Sequence, residues 1–209
     1  MTRIALERTD ILAAHRLPTA EPASENRWEL PAVAGRLVEL SAAGPSAALT
    51  LAFALVLDAQ RRGEPAAWIT GIESSFFPPD AAEGGVDLAA LPVVRAAELR
   101  QALRAADHLT RSGAFGLVTL DLGAGARVPL PAQTRLGGLA ARHGTAIVLL
   151  TRKRSEESSL GSLVSLRGEA LRENRGSGRF ACRLRALKDK RRSPGWAWEE
   201  LCRGPAGLR

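Results

Sequence analysis

The stretch between a short apolar strand and a long apolar helix, residues 35–55, lies where nucleotide-binding proteins hold phosphate. It reads GRLVELSAAGPSAALTLAFAL. A phosphate loop has the form G-x-x-x-x-G-K-[ST], in which glycines expose backbone N–H groups, lysine neutralises phosphate and the hydroxyl holds Mg²⁺. Here the turn offers Gly44 and then Pro45, which has no N–H to donate. The order of elements fits a nucleotide site, but the residues that bind phosphate are missing.

No other group of residues predicts catalysis, a metal or a cofactor. His15, His108 and His143 are far apart in the sequence and have no acidic partner at motif spacing, so we interpret them as surface or helix-end residues. Cys182 and Cys202 lack metal-ligand spacing and are expected to be reduced thiols in a cytoplasmic protein.

The basic charge of the chain is concentrated near its C-terminus. Residues 151–209 carry 15 basic and 7 acidic side chains, whereas residues 1–150 carry 14 basic and 15 acidic ones. This asymmetry favours a polyanion or an acidic protein surface as partner. A solvated arginine-rich surface is the alternative. The candidate contacts with DNA or a partner are Arg152, Lys153, Arg154, Lys188, Lys190, Arg191 and Arg192.

Apolar runs alternate with helical patterns up to residue 151, which is typical of a parallel sheet covered on both faces. The expected strands are RLVEL after Gly35, 66–70, 90–94, 115–121 and 145–151, and the expected helices are 46–62, 95–111 and 131–143. Ser46 is the expected N-cap of the first helix, and Leu99, Leu103 and Leu109 are expected to face the core from the second. Beyond residue 160, SLVSLRG and RFACRLRAL predict antiparallel strands, the second with a basic outer face, and 196–201 predicts an edge strand.

The N-terminal segment predicts a short helix and a linker. Ile4, Arg8, Ile11 and Leu12 form one helical stripe in residues 1–17, and PTAEPASEN follows. The expected division is therefore a helix and linker over 1–30, one domain over 31–203 and a tail over 204–209. The longest apolar run, LTLAFALVL, is far shorter than the ~20 residues that span a bilayer, so no membrane partner is expected.

Four blocks, taken in order, resemble the RecA ATPase core over roughly residues 33–200. They are GRLVEL with the following turn and helix, GVDLAALPVV (85–94), LTRSGAFGLVTLD (109–121) and KDKRRSPG (188–195). The resemblance implies a RecA-like α/β fold, with a mainly parallel twisted sheet flanked by helices and extended by C-terminal antiparallel strands. The N-terminal stripe resembles in placement the helix that RecA lays on its neighbour.

Set against the RecA phosphate loop, every position that binds phosphate or magnesium is lost. The two glycines, the lysine and the hydroxyl residue fall at Ala42, Ala47, Ala48 and Leu49. The Walker B aspartate matches Asp121, and the catalytic glutamate falls at Glu73 or, counted from the preceding strand, at Ile72. The resemblance therefore implies an emptied site with vestigial carboxylates, no nucleotide cofactor and no catalysis.

Residues 73–113 most resemble ImuA, a degenerate RecA-like family of bacterial SOS mutagenesis. The shared features include Phe76 and Phe77 before two prolines, which predict either a protruding docking loop or a plug under the sheet. The resemblance implies a non-enzymatic accessory protein of translesion synthesis that binds RecA and limits its filament. It also implies as partners an ImuB-type inactive Y-family polymerase homologue and an error-prone C-family polymerase. Weak binding of single-stranded DNA is expected separately, from the basic residues of the C-terminal third. An ATP-dependent repair or recombination ATPase with an atypical phosphate loop is the alternative.

Overall fold

The computed structural model describes residues 27–44, 46–71 and 76–203. The predictions outside these ranges are the N-terminal helical stripe, the linker, Glu73 with its alternative Ile72, and the tail over 204–209. Within the described ranges, no helix is long and apolar enough to cross a bilayer.

One eight-stranded sheet runs through the domain in the order β3-β2-β4-β5-β1-β6-β7-β8. Its strands are β1 (Leu37–Ser41), β2 (Ala66–Thr70), β3 (Val93–Arg95), β4 (Leu117–Asp121), β5 (Ala146–Thr151), β6 (Leu166–Gly176), β7 (Arg179–Asp189) and β8 (Ala197–Arg203). Every pairing from β3 to β6 is parallel, and β7 and β8 are added antiparallel. The predicted fold class is therefore confirmed.

Helices cover both faces of the parallel part of the sheet. They are α1 (Leu30–Val33), α2 (Ala48–Arg61), α3 (Pro78–Glu83), α4 (Leu99–Arg111) and α5 (Leu130–His143). Helix α2 packs on one face through a cluster that includes Leu55 and Trp68, and α4 and α5 pack on the other around Ile69 and Leu136. Burial on both faces explains why β1, β2, β4 and β5 read as continuous apolar runs, since none of their residues is exposed.

Three local predictions are corrected by the structure. The third strand is Val93–Arg95 and not 90–94, because Leu88–Ala90 form a turn of 3₁₀ helix before it. Helix α2 begins at Ala48 with Ala47 as its N-cap, so Ser46 lies one residue too early. For α4 the prediction is correct in part: Leu103 and Leu109 pack, partly buried, against the core, but Leu99 does not belong to that cluster, and the most deeply buried positions are Ala102, Ala106 and Thr110.

The C-terminal strands confirm the predicted alternation. In β7, Phe180, Cys182 and Leu184 are buried, while Arg179 and Arg185 are exposed. Strands β6 and β7 meet in a tight turn at 177–178, in which Ser177 has a φ of 52°. The segment between them therefore holds no helix, as the sequence indicates.

Candidate functional site at the carboxyl edge of the sheet

The carboxyl ends of β1, β4 and β5 surround a cavity of about 650 Å³. Its walls come from the loop between β1 and α2, from Asp121 at the end of β4, and from Arg152 and Arg154 after β5. Ligands of open α/β sheets bind at this edge, outside the carboxyl ends of the strands. The cavity therefore marks the position where a nucleotide would lie.

The loop between β1 and α2 brings no basic side chain to the cavity. Ala42 and Ala47 are buried, and Ala48 and Leu49 pack partly against the core. Two of its amide groups are already bonded internally, because Ala42 N donates to Thr151 O at 3.1 Å and Ala48 N donates to Ser46 Oγ at 2.9 Å. A phosphate would meet a loop with no lysine and with fewer free N–H donors than a working phosphate loop.

Asp121 is the acidic residue that β4 brings to this cavity. It is buried and lies opposite Thr70 in the parallel register of β2 and β4. A carboxylate without a nearby loop lysine repels the like charge of a triphosphate. Glu73, the other vestigial carboxylate, lies outside the described residues. Across those residues, no group of three or more His, Cys, Asp or Glu side chains could hold a metal ion.

Glu39, a fully buried residue of β1, holds the loop after β5 through hydrogen bonds to its carboxylate. One carboxylate oxygen accepts from Thr151 Oγ1 at 3.1 Å. The other accepts from Ser159 Oγ and Leu160 N, both at 2.8 Å. A buried carboxylate is tolerated when its oxygens are bonded in this way. The sequence contained the signal, an acidic residue inside the apolar run RLVEL, but it did not reveal the partners.

Arg167 of β6 holds the same loop from the adjacent strand. It lies opposite Glu39 in register, and its Nε is 4.0 Å from the Glu39 carboxylate. Its guanidinium donates to the carbonyl oxygens of Arg154, at 2.8 Å, and of Glu157. Glu39 and Arg167, both buried, therefore hold the loop after β5 against the sheet through hydrogen bonds.

The three cationic side chains after β5 lie in different environments. Lys153 Nζ donates to Ser158 O at 3.0 Å and lies 3.8 Å from a Glu39 carboxylate oxygen, so its charge is used inside the loop. Arg152 and Arg154 are exposed and line the cavity together with Glu157. Two exposed arginines therefore lie at this edge of the cavity.

The second predicted cation group lies at the opposite ends of the strands, where β7 ends and β6 begins. Strand β7 ends at Asp189, which pairs with Leu166, the first residue of β6. Lys188 Nζ donates to the carbonyl oxygens of Gly161 and Ser162, and burial, followed by the charge of Lys190, lowers the pKa of Lys188. Lys188 therefore contacts the loop after β5, to which Lys153 also belongs, whereas the residues after Asp189 continue away from that loop.

Within this second group, the exposed cations are Lys190 and Arg191. One guanidinium N–H of Arg191 donates to Ala34 O at 3.1 Å. The guanidinium of Arg192 lies 4.6 Å from the centre of the Trp196 ring, and its Nε is 3.5 Å from Asp189. Lys190 and Arg191 are thus the members best placed to meet a polyanion.

We predict that any binding of single-stranded DNA is tolerant of sequence and strongly salt-dependent. The slope of log K against log salt should change by about 0.7 for each phosphate neutralised. Replacing Lys188, Lys190, Arg191 and Arg192 by Gln should weaken binding more than replacing Arg152, Lys153 and Arg154. Fluorescence anisotropy between about 50 and 200 mM salt measures this. Affinity that stays constant across that range contradicts an electrostatic contact.

The two phenylalanines before α3 have different environments. The Phe76 ring lies 5.8 Å from the Phe53 ring and 5.4 Å from the Trp68 ring, between centroids, so it belongs to the core. Phe77 is 56% exposed. The sequence left a docking loop and a plug open, and the structure assigns the plug to Phe76 and an exposed position to Phe77.

Comparison with known proteins points to one family. The model of the RecA N-terminal domain matches residues 30–143. Protein RecA of Rubrobacter xylanophilus is 32% identical over 141 residues, which cover 58% of this chain and 41% of that protein. Protein RecA of Bifidobacterium breve is 30% identical over 141 residues, covering 58% and 36%, and that of Rhodospirillum rubrum is 31% identical over 139 residues, covering 57% and 38%.

The chain spans about two fifths of the length of these relatives. The matched region contains the loop between β1 and α2, the Walker B position and the helices on both faces of the sheet. The family model covers more than half of the 209 residues. The chain belongs to the RecA N-terminal domain family.

Proposed function

We propose that this protein is a non-enzymatic RecA-like accessory protein that binds RecA and limits its filament during SOS mutagenesis. The observation that carries the proposal is the loop between β1 and α2. Alanines and a leucine occupy the phosphate-binding positions, and amides of the loop are bonded internally. A RecA-family sheet that has lost its phosphate ligands retains a surface for assembly without the reaction that drives filament turnover.

The resemblance of residues 73–113 to the ImuA family supports the placement in translesion synthesis. On this proposal the partners are RecA, an ImuB-type inactive polymerase homologue and the error-prone C-family polymerase that copies past lesions.

Limiting a filament follows from the geometry of head-to-tail assembly. Each protomer in such an assembly uses two different faces, and growth requires both. A chain that matches one face and differs at the other joins an end without extending it. The proposal therefore requires that the protein reduce RecA strand exchange when it is present in much smaller amounts than RecA. The size of this reduction should depend on the number of filament ends.

The test combines binding and strand exchange with purified RecA. The intact protein should bind RecA and reduce strand exchange, and deletion of residues 1–24 should remove both effects because the N-terminal stripe is the expected docking element. A Leu130→Ala variant is the matched control, because Leu130 is an apolar side chain that is 59% exposed and that no docking prediction names. Binding is measured by biolayer interferometry and exchange by a fluorescent strand-displacement assay.

Two outcomes separate the parts of this proposal. If the intact protein neither binds RecA nor changes strand exchange, the filament-limiting function is wrong. If it binds RecA and the deletion changes nothing, only the assignment of the N-terminal helix fails. The turn at 188–195 then becomes the better docking candidate. Parallel binding assays with the ImuB-type protein test whether the helix docks there instead.

The second candidate function is an ATP-dependent repair or recombination ATPase with an atypical phosphate loop. The observation that favours it is the cavity itself, which retains Asp121 and is lined by Arg152 and Arg154. On this alternative, two arginines from the loop after β5 replace part of the lost lysine charge. A nucleotide titration distinguishes the two functions.

A further inference from the structure

Among residues 27–44, 46–71 and 76–203, no strand pairs with the outer edge of β8, a strand of seven residues at one end of the eight-stranded sheet. Its ladder with β7 runs from Arg179 opposite Arg203 to Arg185 opposite Ala197 without a register shift. The strand contains no proline, and its charged residues, Glu199, Glu200 and Arg203, are of both signs. At the other end of the sheet, β3 is limited to three residues. Charges on an edge oppose pairing with another strand unless that strand carries complementary charges.

The backbone direction of β8 follows from its first contact with β7. Ala186 N donates to Trp196 O at 2.9 Å, so the carbonyl of Trp196 points toward β7. Successive residues of a strand turn their backbone groups to alternate sides. Residues 198, 200 and 202 therefore also face β7, and Glu199, Leu201 and Arg203 direct N–H and C=O groups outward.

These three residues also place their side chains on one face of the sheet, because their spacing is two. In order along the strand they are negative, apolar and positive, with Leu201 at the centre and opposite charges on its two sides. We propose that a second copy of this chain pairs with β8 in antiparallel orientation, with Leu201 opposite its own equivalent on a two-fold axis. Glu199 of each copy then lies opposite Arg203 of the other, which makes the edge self-complementary.

The charges on this face support that occupant. Arg203 lies directly opposite Arg179 in the β7–β8 ladder, an arrangement of like charges that destabilises a sheet. Within the described ranges, neither guanidinium forms an ion pair. Glu199 has one carboxylate–guanidinium contact there, at 3.5 Å from Arg175. The proposed pairing brings a carboxylate of the second copy beside the two unpaired arginines.

The pairing predicts a dimer of moderate strength. It joins residues 199–203 of each copy through backbone hydrogen bonds and two reciprocal ion pairs. An interface limited to one strand edge lies at the small end of specific interfaces, so we expect a Kd of the order of micromolar. This interface is independent of the filament-limiting function, because a monomer could still bind RecA.

The experiment is sedimentation equilibrium on the full chain with two charge-reversal variants. Glu199→Arg places like charges opposite each other twice in a homodimer, and so does Arg203→Glu. Each variant alone should dimerise at least about tenfold more weakly than the wild type. An equimolar mixture of the two should restore an affinity within about threefold of the wild type, because both ion pairs form in the mixed dimer, one with its original signs and one with its signs exchanged. Arg95→Glu, at the opposite edge of the sheet, is the matched control and should dimerise normally.

Three results would overturn the proposal. The first is a wild type that stays monomeric up to several hundred micromolar. The second is a dimer that Arg203→Glu leaves unchanged, which would place the contact on another surface or with another partner segment. The third is a mixture that associates no better than the single variants. Restoration by mixing also requires that both variants are folded, so misfolding cannot imitate it.

Discussion

ATP should neither bind to this protein nor be hydrolysed by it at millimolar concentrations. The lysine position is Ala48 and the magnesium-binding hydroxyl is replaced by Leu49, so the strongest charge interactions with the phosphates are absent. Leu49 packs partly against the core, and the Ala48 amide is already bonded to Ser46. Asp121 remains in the cavity and adds like charge.

Isothermal titration calorimetry with Mg²⁺ and ATP measures this directly. A Kd tighter than about 100 μM, roughly 5.5 kcal/mol, would contradict the prediction. Thermal unfolding provides a second readout, since a ligand present at 100 times its Kd stabilises by about 2.7 kcal/mol. A RecA with an intact phosphate loop serves as the positive control. Asp121→Ala should change stability and leave RecA binding intact.

The fold was largely predictable because its strands carry a strong local signal. Strands buried on both faces need apolar side chains at every position, and β1, β2, β4 and β5 show this in their sequences. The third strand was less certain because it is short and half-exposed at the edge. The packing of helix α4 was predicted only in part, because its leucines flank small residues that approach the sheet most closely.

The candidate site was predictable only in what it lacks. Replacement of the lysine and glycines can be read from the sequence, since the loop is a local motif. The anchoring of the loop after β5 could not be read, because Glu39 and its partner Leu160 are 121 residues apart and meet only in the folded sheet. For the same reason, charge counting did not show that Lys153 and Lys188 already donate to internal carbonyl groups.

Replacing Asp189 by Asn should reduce the free energy of unfolding by about 3 kcal/mol or more at neutral pH, because it leaves a buried arginine uncompensated. Asp189 Oδ1 lies 2.5 Å from Arg36 Nη2, and both side chains are almost fully excluded from solvent. Arg36 also donates to the hydroxyl and carbonyl oxygens of Ser165, each at 2.8 Å. The pair therefore links the start of β1, the start of β6 and the end of β7.

The matched control is Asp107→Asn, which removes a carboxylate from an ion pair at the surface. Asp107, whose side chain is 13% exposed, pairs with Arg111 and Arg135, whose side chains are 49% and 57% exposed, so both of its partners remain solvated when it is replaced. Exposed pairs contribute about 0–1 kcal/mol, so this variant should be close to the wild type. Denaturation in guanidinium chloride at 25 °C measures both. A loss below about 1 kcal/mol for Asp189→Asn means that the pair is not holding the three strands together.

The same pair gives the wild type a specific acid dependence. Burial alone raises the pKa of Asp189, but hydrogen bonds from the Arg191 amide, the Arg36 guanidinium and the Trp196 indole outweigh it and hold this pKa below its ordinary value. A carboxyl group with a depressed pKa in the folded state contributes stability above its unfolded pKa of about 3.9, and this stability is lost as pH falls through the folded pKa. Below about pH 4, the unfolding free energy of the wild type should therefore fall more steeply than that of Asp189→Asn, whose amide does not titrate. Parallel curves for the two proteins from pH 5 to pH 2.5 would show that the buried carboxylate does not set this dependence, whereas convergence of the curves at low pH is the expected result.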